Sequence, residues 1–148
     1  MLLLSILTHP SSSYNTSPIT TNTPGIGIIA RVETEDGAAA LSKALTILET
    51  QPDILINNAG MVITQETLIP RGGVERTSSE WLNALNNNLT TAFYATRIVM
   101  PFMRSAQWVR IINVTSVTGA VMAARKDIGY AAAKAGMVGL TRALAICW

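Results

Sequence analysis

Tyr130 and Lys134 stand four residues apart in the run GYAAAKAG (129–136), surrounded almost entirely by alanine and glycine. On a helix, residues at that separation share one face with an axial rise of roughly 6 Å, so the phenol and the ammonium point the same way. A phenol in water gives up its proton near pH ~10, too high for a proton shuttle at neutral pH. An ammonium about 4 Å away, at an effective dielectric near 20, stabilises a phenolate by up to ~4 kcal/mol, or roughly three pKa units. The small side chains around the pair keep the face thin, so a flat cofactor or a neighbouring helix can come close. Alone, the spacing also describes an alanine-rich amphipathic helix that happens to carry both residues.

Three further groups sit where a site on that face would need them. Ser116 closes the run VRIINVTS and is followed by VTG. Its hydroxyl would donate to a substrate oxygen beside the phenol, or would simply cap a turn. The stretch NNAG (57–60) ends another apolar run. Gly60 there permits close approach of a ligand, and Asn57 and Asn58 can hold the turn, as they would in a plain Asx turn. Asn88 lies in WLNALNNNLTTAF, among poor helix formers inside a helical pattern. Buried, it could bend the helix and hold a water; exposed, it is one more polar surface residue. The order of these groups along the chain says more than any of them singly.

The elements that must position them alternate. Residues 26–32 (IGIIARV) are short and β-branched, the pattern of a buried strand. Residues 35–50 have apolar positions at helical spacing and acids in the first turn. Residues 53–60 read as a second strand ending in turn residues. A long helix follows, with Ser78 or Ser79 as its N-cap and its end near Met103. Residues 109–116 read as a third strand and residues 128–146 as a third helix. Three strand–helix repeats predict an α/β fold, a doubly wound parallel sheet with right-handed crossovers and its chemistry beyond the carboxyl ends of the strands. That places Asn58 and Ser116 at neighbouring strand ends, with Tyr130 facing Ser116.

With 148 residues the chain fits one domain with a real core. Charged residues make up 14%, below the typical figure of about 25%, and the net charge of +2 forms no basic patch, which argues against nucleic acid as a partner. A single cysteine, Cys147, excludes an internal disulfide framework and offers no metal cluster. The lone His9 lies in a polar stretch that solvates it. The opening MLLLSILTHP is far shorter than the ~20 residues of a membrane span and has no basic leader. Residues 10–24 (PSSSYNTSPITTNTP) have the composition of loop or disorder, so 1–24 is expected to be low-complexity and the ordered domain to occupy 25–148. No membrane partner is expected, and the expected location is cytoplasmic.

Taken together, NNAG, the Asn88 element NNL, Ser116 and YAAAK resemble the motifs of the short-chain dehydrogenase/reductase family, over about residues 30–145. SVTG and YAAAKAGMVGLTRALA are similar to its 3-oxoacyl-carrier-protein reductase branch. The resemblance implies a Rossmann-like fold, NAD or NADP as cofactor, and a small-molecule alcohol or carbonyl as substrate. It implies Tyr130 as proton donor and acceptor, Ser116 as the group polarising the carbonyl, and Asn88 as the holder of a proton-relaying water. Lys134 would lower the phenol's pKa and bind the nicotinamide ribose, and Asn58, Ala59 and Gly60 would join Tyr130 and Lys134 at the cofactor. In the family the two long helices build oligomer interfaces, which implies a homo-oligomer.

The chain also departs from that pattern. The family opens with a strand, a TGxxxGxG-type loop and a helix that cradles the pyrophosphate. Here Gly25 and Gly27 in PGIGIIA lie before a β-branched run and read as a loop. Arg31 stands where the family usually has an aspartate near the adenine. LAICW (144–148) stops where the family continues into further strands. The expected sheet therefore lacks the first βαβ part and the C-terminal strands. The second hypothesis is a catalytically inactive remnant that pairs with a full-length relative.

Overall fold

A computed structural model describes residues 5–8, 31–47, 49, 52–60, 73–108, 110–123, 125 and 127–147. The expected strand over residues 26–32 lies largely outside these, as do Gly25, Gly27 and His9. Its last two positions, Arg31 and Val32, enter a turn, and Val32 is buried.

Helix α1 (Glu35–Ile47) opens on Glu35 and Asp36, whose charges suit the positive end of the helix. The Thr34 hydroxyl accepts from the Gly37 N–H at 3.1 Å, satisfying one donor of the first turn. Strand β2 (Pro52–Asn57) follows and buries Pro52, Leu55 and Asn57. Helix α2 (Ser78–Leu85) begins one residue earlier than expected. Thr77, and neither Ser78 nor Ser79, is its N-cap. The physical reason is a capping box: Glu80 N donates to Thr77 Oγ1 at 3.3 Å, and Thr77 N donates to Glu80 Oε2 at 2.8 Å.

The single long helix expected from there is continuous but not uniform. At Asn86–Thr90 it widens into one π-helical turn before resuming as α3 (Thr91–Ala106). Strand β3 (Arg110–Asn113) follows. Then comes a short turn, α4 (Val117–Ala120), whose backbone leaves the helical region at Thr118 and Gly119 and which periodicity did not announce. Helix α5 (Ile128–Ile146) has the bounds read from sequence.

Strands β2 and β3 pair in parallel, with Asn57 opposite Asn113. The α2–α3 crossover joins them, as a parallel pair requires. The other neighbour corrects the expectation of an all-parallel sheet. Ser5–Thr8, inside the segment expected to be low-complexity, forms β1 and runs antiparallel along β2, giving the order β1-β2-β3.

Alternation along the strands decides which face is covered. Leu55 and Asn57 on β2, with Ile111 and Asn113 on β3, face the helices. Leu55 and Ile111 pack with Val32, Leu41, Leu45, Ala95, Val99 and Met103 in one core. Ile112 points the other way and is 48% exposed. Among the described residues the fold is thus a helix layer on one face of a three-stranded sheet. Leu55 is 0% exposed at the centre of that core. Replacing Leu55 by alanine should destabilise the chain by about 2–5 kcal/mol, read as a lower urea midpoint; an unchanged midpoint would contradict this packing.

Candidate active site at the strand ends

Beyond Asn57 and Asn113, both strands lead into the turns that the sequence singles out. Asn58 and Ser116 follow these neighbouring strand ends. Val114 N donates back to Asn57 O at 2.9 Å, so the two exits leave the sheet together. Helix α5 lies against them and is fastened at Lys134. Its Nζ donates to Val114 O at 2.9 Å, and Thr115 Oγ1 donates to Lys134 O, also at 2.9 Å. Lys134 is only 4% exposed. Burial pushes its ammonium below the ordinary lysine range, because a charge loses water faster than one carbonyl replaces it.

Tyr130 sits one turn earlier on the same face, half-buried, with Lys134 Nζ 5.8 Å from its ring centroid. The ammonium therefore lies beside the aromatic ring while being held by the end of β3.

Asn88 is 2% exposed and lies in the π-helical turn. Its Nδ2 donates to Ala84 O at 2.9 Å, one turn back. Side-chain amides compete in this way for helix carbonyls, and π-turns concentrate at functional sites. Gly60 joins it to Lys134. A β-carbon placed on Gly60 would stand 2.9 Å from Asn88 Oδ1 and 3.5 Å from Lys134 Nζ. Gly60, Asn88 and the Tyr130–Lys134 face of α5 thus meet in one place, drawn from three segments. Asn58 is exposed and Ala59 half-buried, and they belong to the same turn.

Ser116 takes the capping part foreseen for it: Thr118 N donates to Ser116 Oγ at 3.2 Å at the start of α4. Accepting that bond leaves the hydroxyl proton to donate elsewhere. Turn α4 packs on the start of α5 through Gly119, whose φ is +90°. A side chain there would collide with the Ala131 carbonyl. Sequence reading did not single out Gly119, although glycine after a serine-capped turn is the signal of such a bend. Arg31, the position set against an adenine-side aspartate, is exposed and pairs with Glu33 at 2.8 Å. Among the described residues, no group of His, Cys, Asp or Glu could hold a metal ion, and no helix is long and apolar enough to cross a membrane.

The profile of a family described as short chain dehydrogenase matches residues 23–147. A 3-oxoacyl-[acyl-carrier-protein] reductase of Pseudomonas aeruginosa is 39% identical over 121 residues, covering 82% of this chain and 46% of the relative. The D-beta-hydroxybutyrate dehydrogenase of Cupriavidus necator is 42% identical over 96 residues, 64% of this chain and 34% of its own. Among solved structures, a 3-oxoacyl-[acyl-carrier protein] reductase with bound NAD from Brucella melitensis superposes with a TM-score of 0.67. It is 28% identical and covers 83% of this chain and 45% of that one. The chain spans about half the length of the curated relatives it matches.

The buried lysine has a consequence for stability that can be measured. Its proton is held less tightly in the folded chain than in the unfolded chain. Stability therefore rises with pH between the lowered folded value and the ordinary value of 10.5. Urea unfolding of wild type and Lys134→Met across that window should show wild type gaining on the variant as pH rises. A constant difference would mean that Lys134 is not buried as a cation.

Proposed function

Because this chain belongs to the short-chain dehydrogenase family, we propose that its site serves an NAD- or NADP-dependent oxidoreductase interconverting an alcohol and a carbonyl. The observation that carries the reading is the meeting of Tyr130, Lys134 and Asn88 around the bare backbone of Gly60. Any side chain at Gly60 would fill the space between the amide and the ammonium, so the cradle suits a flat ring and a sugar hydroxyl. The turn of Asn58, Ala59 and Gly60, with Tyr130 and Lys134, would hold the nicotinamide end. The cofactor, when bound, supplies the hydride acceptor or donor.

The chain's own residues do the rest. Tyr130 gives its hydroxyl proton to the carbonyl oxygen in reduction and takes it back in oxidation. Ser116 donates to the same oxygen and stabilises the charge that develops there. Lys134 brings a cation to the phenol's side and would bind the nicotinamide ribose. Asn88, held in the widened turn, keeps a water in line with the lysine for proton resupply. The substrate we infer is a 3-oxo- or 3-hydroxyacyl compound. Support comes from the two relatives above, whose names both put the reacting oxygen at the third carbon of an acyl chain. We place the protein in the cytoplasm, with residues 25–148 as the dehydrogenase part, and expect α2–α3 and α5 to pair with a second copy.

The test is turnover with 3-oxoacyl thioesters and 3-hydroxybutyrate, followed by NADH and NADPH absorbance. Tyr130→Phe should lower kcat by about 10²–10⁴-fold, since general acid catalysis contributes that much, while cofactor affinity stays within a few-fold. Ser116→Ala should lose less. A Tyr130→Phe variant as active as wild type would overturn the assignment.

A further inference from the structure

Helix α5 has an unusual surface for an element that must be placed accurately. Its site-bearing stretch is alanine and glycine, and such a face offers shallow ridges to interlock with a neighbour. A helix with so little relief can settle at more than one height along a strand, each residue step being about 1.5 Å. Something other than side-chain interlocking has to set its height.

Two polar fastenings do so, and one of them lies outside the site. The first is the pair of bonds at Lys134 described above. The second is a directed chain of side-chain hydrogen bonds seven residues further along the same face. Asn57 Nδ2 donates to Asn113 Oδ1 at 2.8 Å across the parallel strands. Asn113 Nδ2 donates to Thr141 Oγ1 at 2.9 Å, and the Thr141 hydroxyl donates to Met137 O at 2.8 Å. Asn57 Nδ2 also reaches Thr96 Oγ1 on α3 at 3.3 Å. One relay therefore touches β2, β3, α3 and α5. These four elements carry or lead into Gly60, Ser116, Asn88 and the Tyr130–Lys134 face.

We propose that Asn113 and Thr141 are positioning residues. Through the relay from Asn57 they set the height of α5 on β3, and with it the place of Tyr130 and Lys134 relative to Ser116 and Asn88. The catalytic part of this inference rests on the function proposed above; the placement of Lys134 does not. Asn57 supports it from beneath. It is 3% exposed and its nitrogen makes both bonds of the relay's inner end, while its Oδ1 has no partner among the described residues. Asn113 and Thr141 also line a cavity of about 470 Å³ with Met103, Ile111 and Leu144. The relay's outer end is thus open to substitution without crowding the core.

The experiment uses the full chain and the variants Thr141→Val, Thr141→Ser, Asn113→Leu and the Thr141→Val/Asn113→Leu double. Two readouts are taken: the native-state titration of Lys134 by lysine-labelled NMR, and kcat and KM for the dehydrogenase reaction. Thr141→Val and Asn113→Leu should each raise the pH at which Lys134 titrates, as its ammonium leaves its buried seat. Each should lower kcat by about tenfold, an effect in the range expected for small misplacements, with cofactor KM within about twofold. Thr141→Ser, which keeps the hydroxyl, should restore both. The double variant should be no worse than Asn113→Leu alone, because both cut one relay. A variant that loses stability while Lys134 titration and kcat stay at wild-type values would overturn the proposal, as would additive losses in the double. Thr141 is exposed, so Thr141→Val alone decides if Asn113→Leu does not fold. If wild type shows no turnover, the proposed activity falls and the Lys134 titration still decides the relay.

Discussion

An ammonium taken almost wholly out of water must find oxygen, and in this fold the oxygen belongs to the residue just past a strand. The bond from Lys134 to Val114 ties the middle of α5 to the exit of β3. Once it is made, Tyr130 has a fixed height, the turn capped by Ser116 has a wall to pack on, and Gly60 faces the lysine and the Asn88 amide oxygen with no side chain of its own between. The charge is expensive to bury and is kept below its usual proton affinity there. Long lysine stems normally carry their charge to solvent. Its retention inside is what separates this helix from an ordinary alanine-rich one.

The other constraints work around that bond. The π-turn at Asn86–Thr90 lets one continuous helix serve two neighbours, with α2 against α5 and α3 against the sheet core. Gly136 and Gly129 let this assembly come close: β-carbons there would press on Leu89 and on Ala84. The thin face inferred from GYAAAKAG thus packs on its helical neighbours, while its Tyr130 and Lys134 side remains beside the turns.

How much of this could be read in advance depends on whether the signal was local. Helix α5 was legible to its ends, because its periodicity runs unbroken over nineteen residues. The meeting of Tyr130 with Lys134 followed from helix geometry alone. The N-cap was missed by one residue although its signal was present, since Thr77 stands three before Glu80 and Ser78 and Ser79 competed for attention. Strand β1 was not legible: four residues in a terminal apolar run look the same whether paired or free, and their pairing is decided fifty residues away on β2. The relay through Asn113 and Thr141 was hidden for a related reason. It exists only because β2 and β3 pair in the register that sets Asn57 opposite Asn113.

The sheet's connectivity also bears on how the molecule comes to exist. Among the described residues, both strand pairings join segments separated by at least one whole helix, and neither is a hairpin. No strand can therefore acquire a partner until a long loop has closed, a step whose entropic cost precedes its reward. The helices have local contacts and can form transiently before that. Asn58 and Ser116 are neighbours only after β2 has found β3, so the site is assembled late. Until then the chain exposes apolar strand edges, and in that interval its competing partner is another copy of itself.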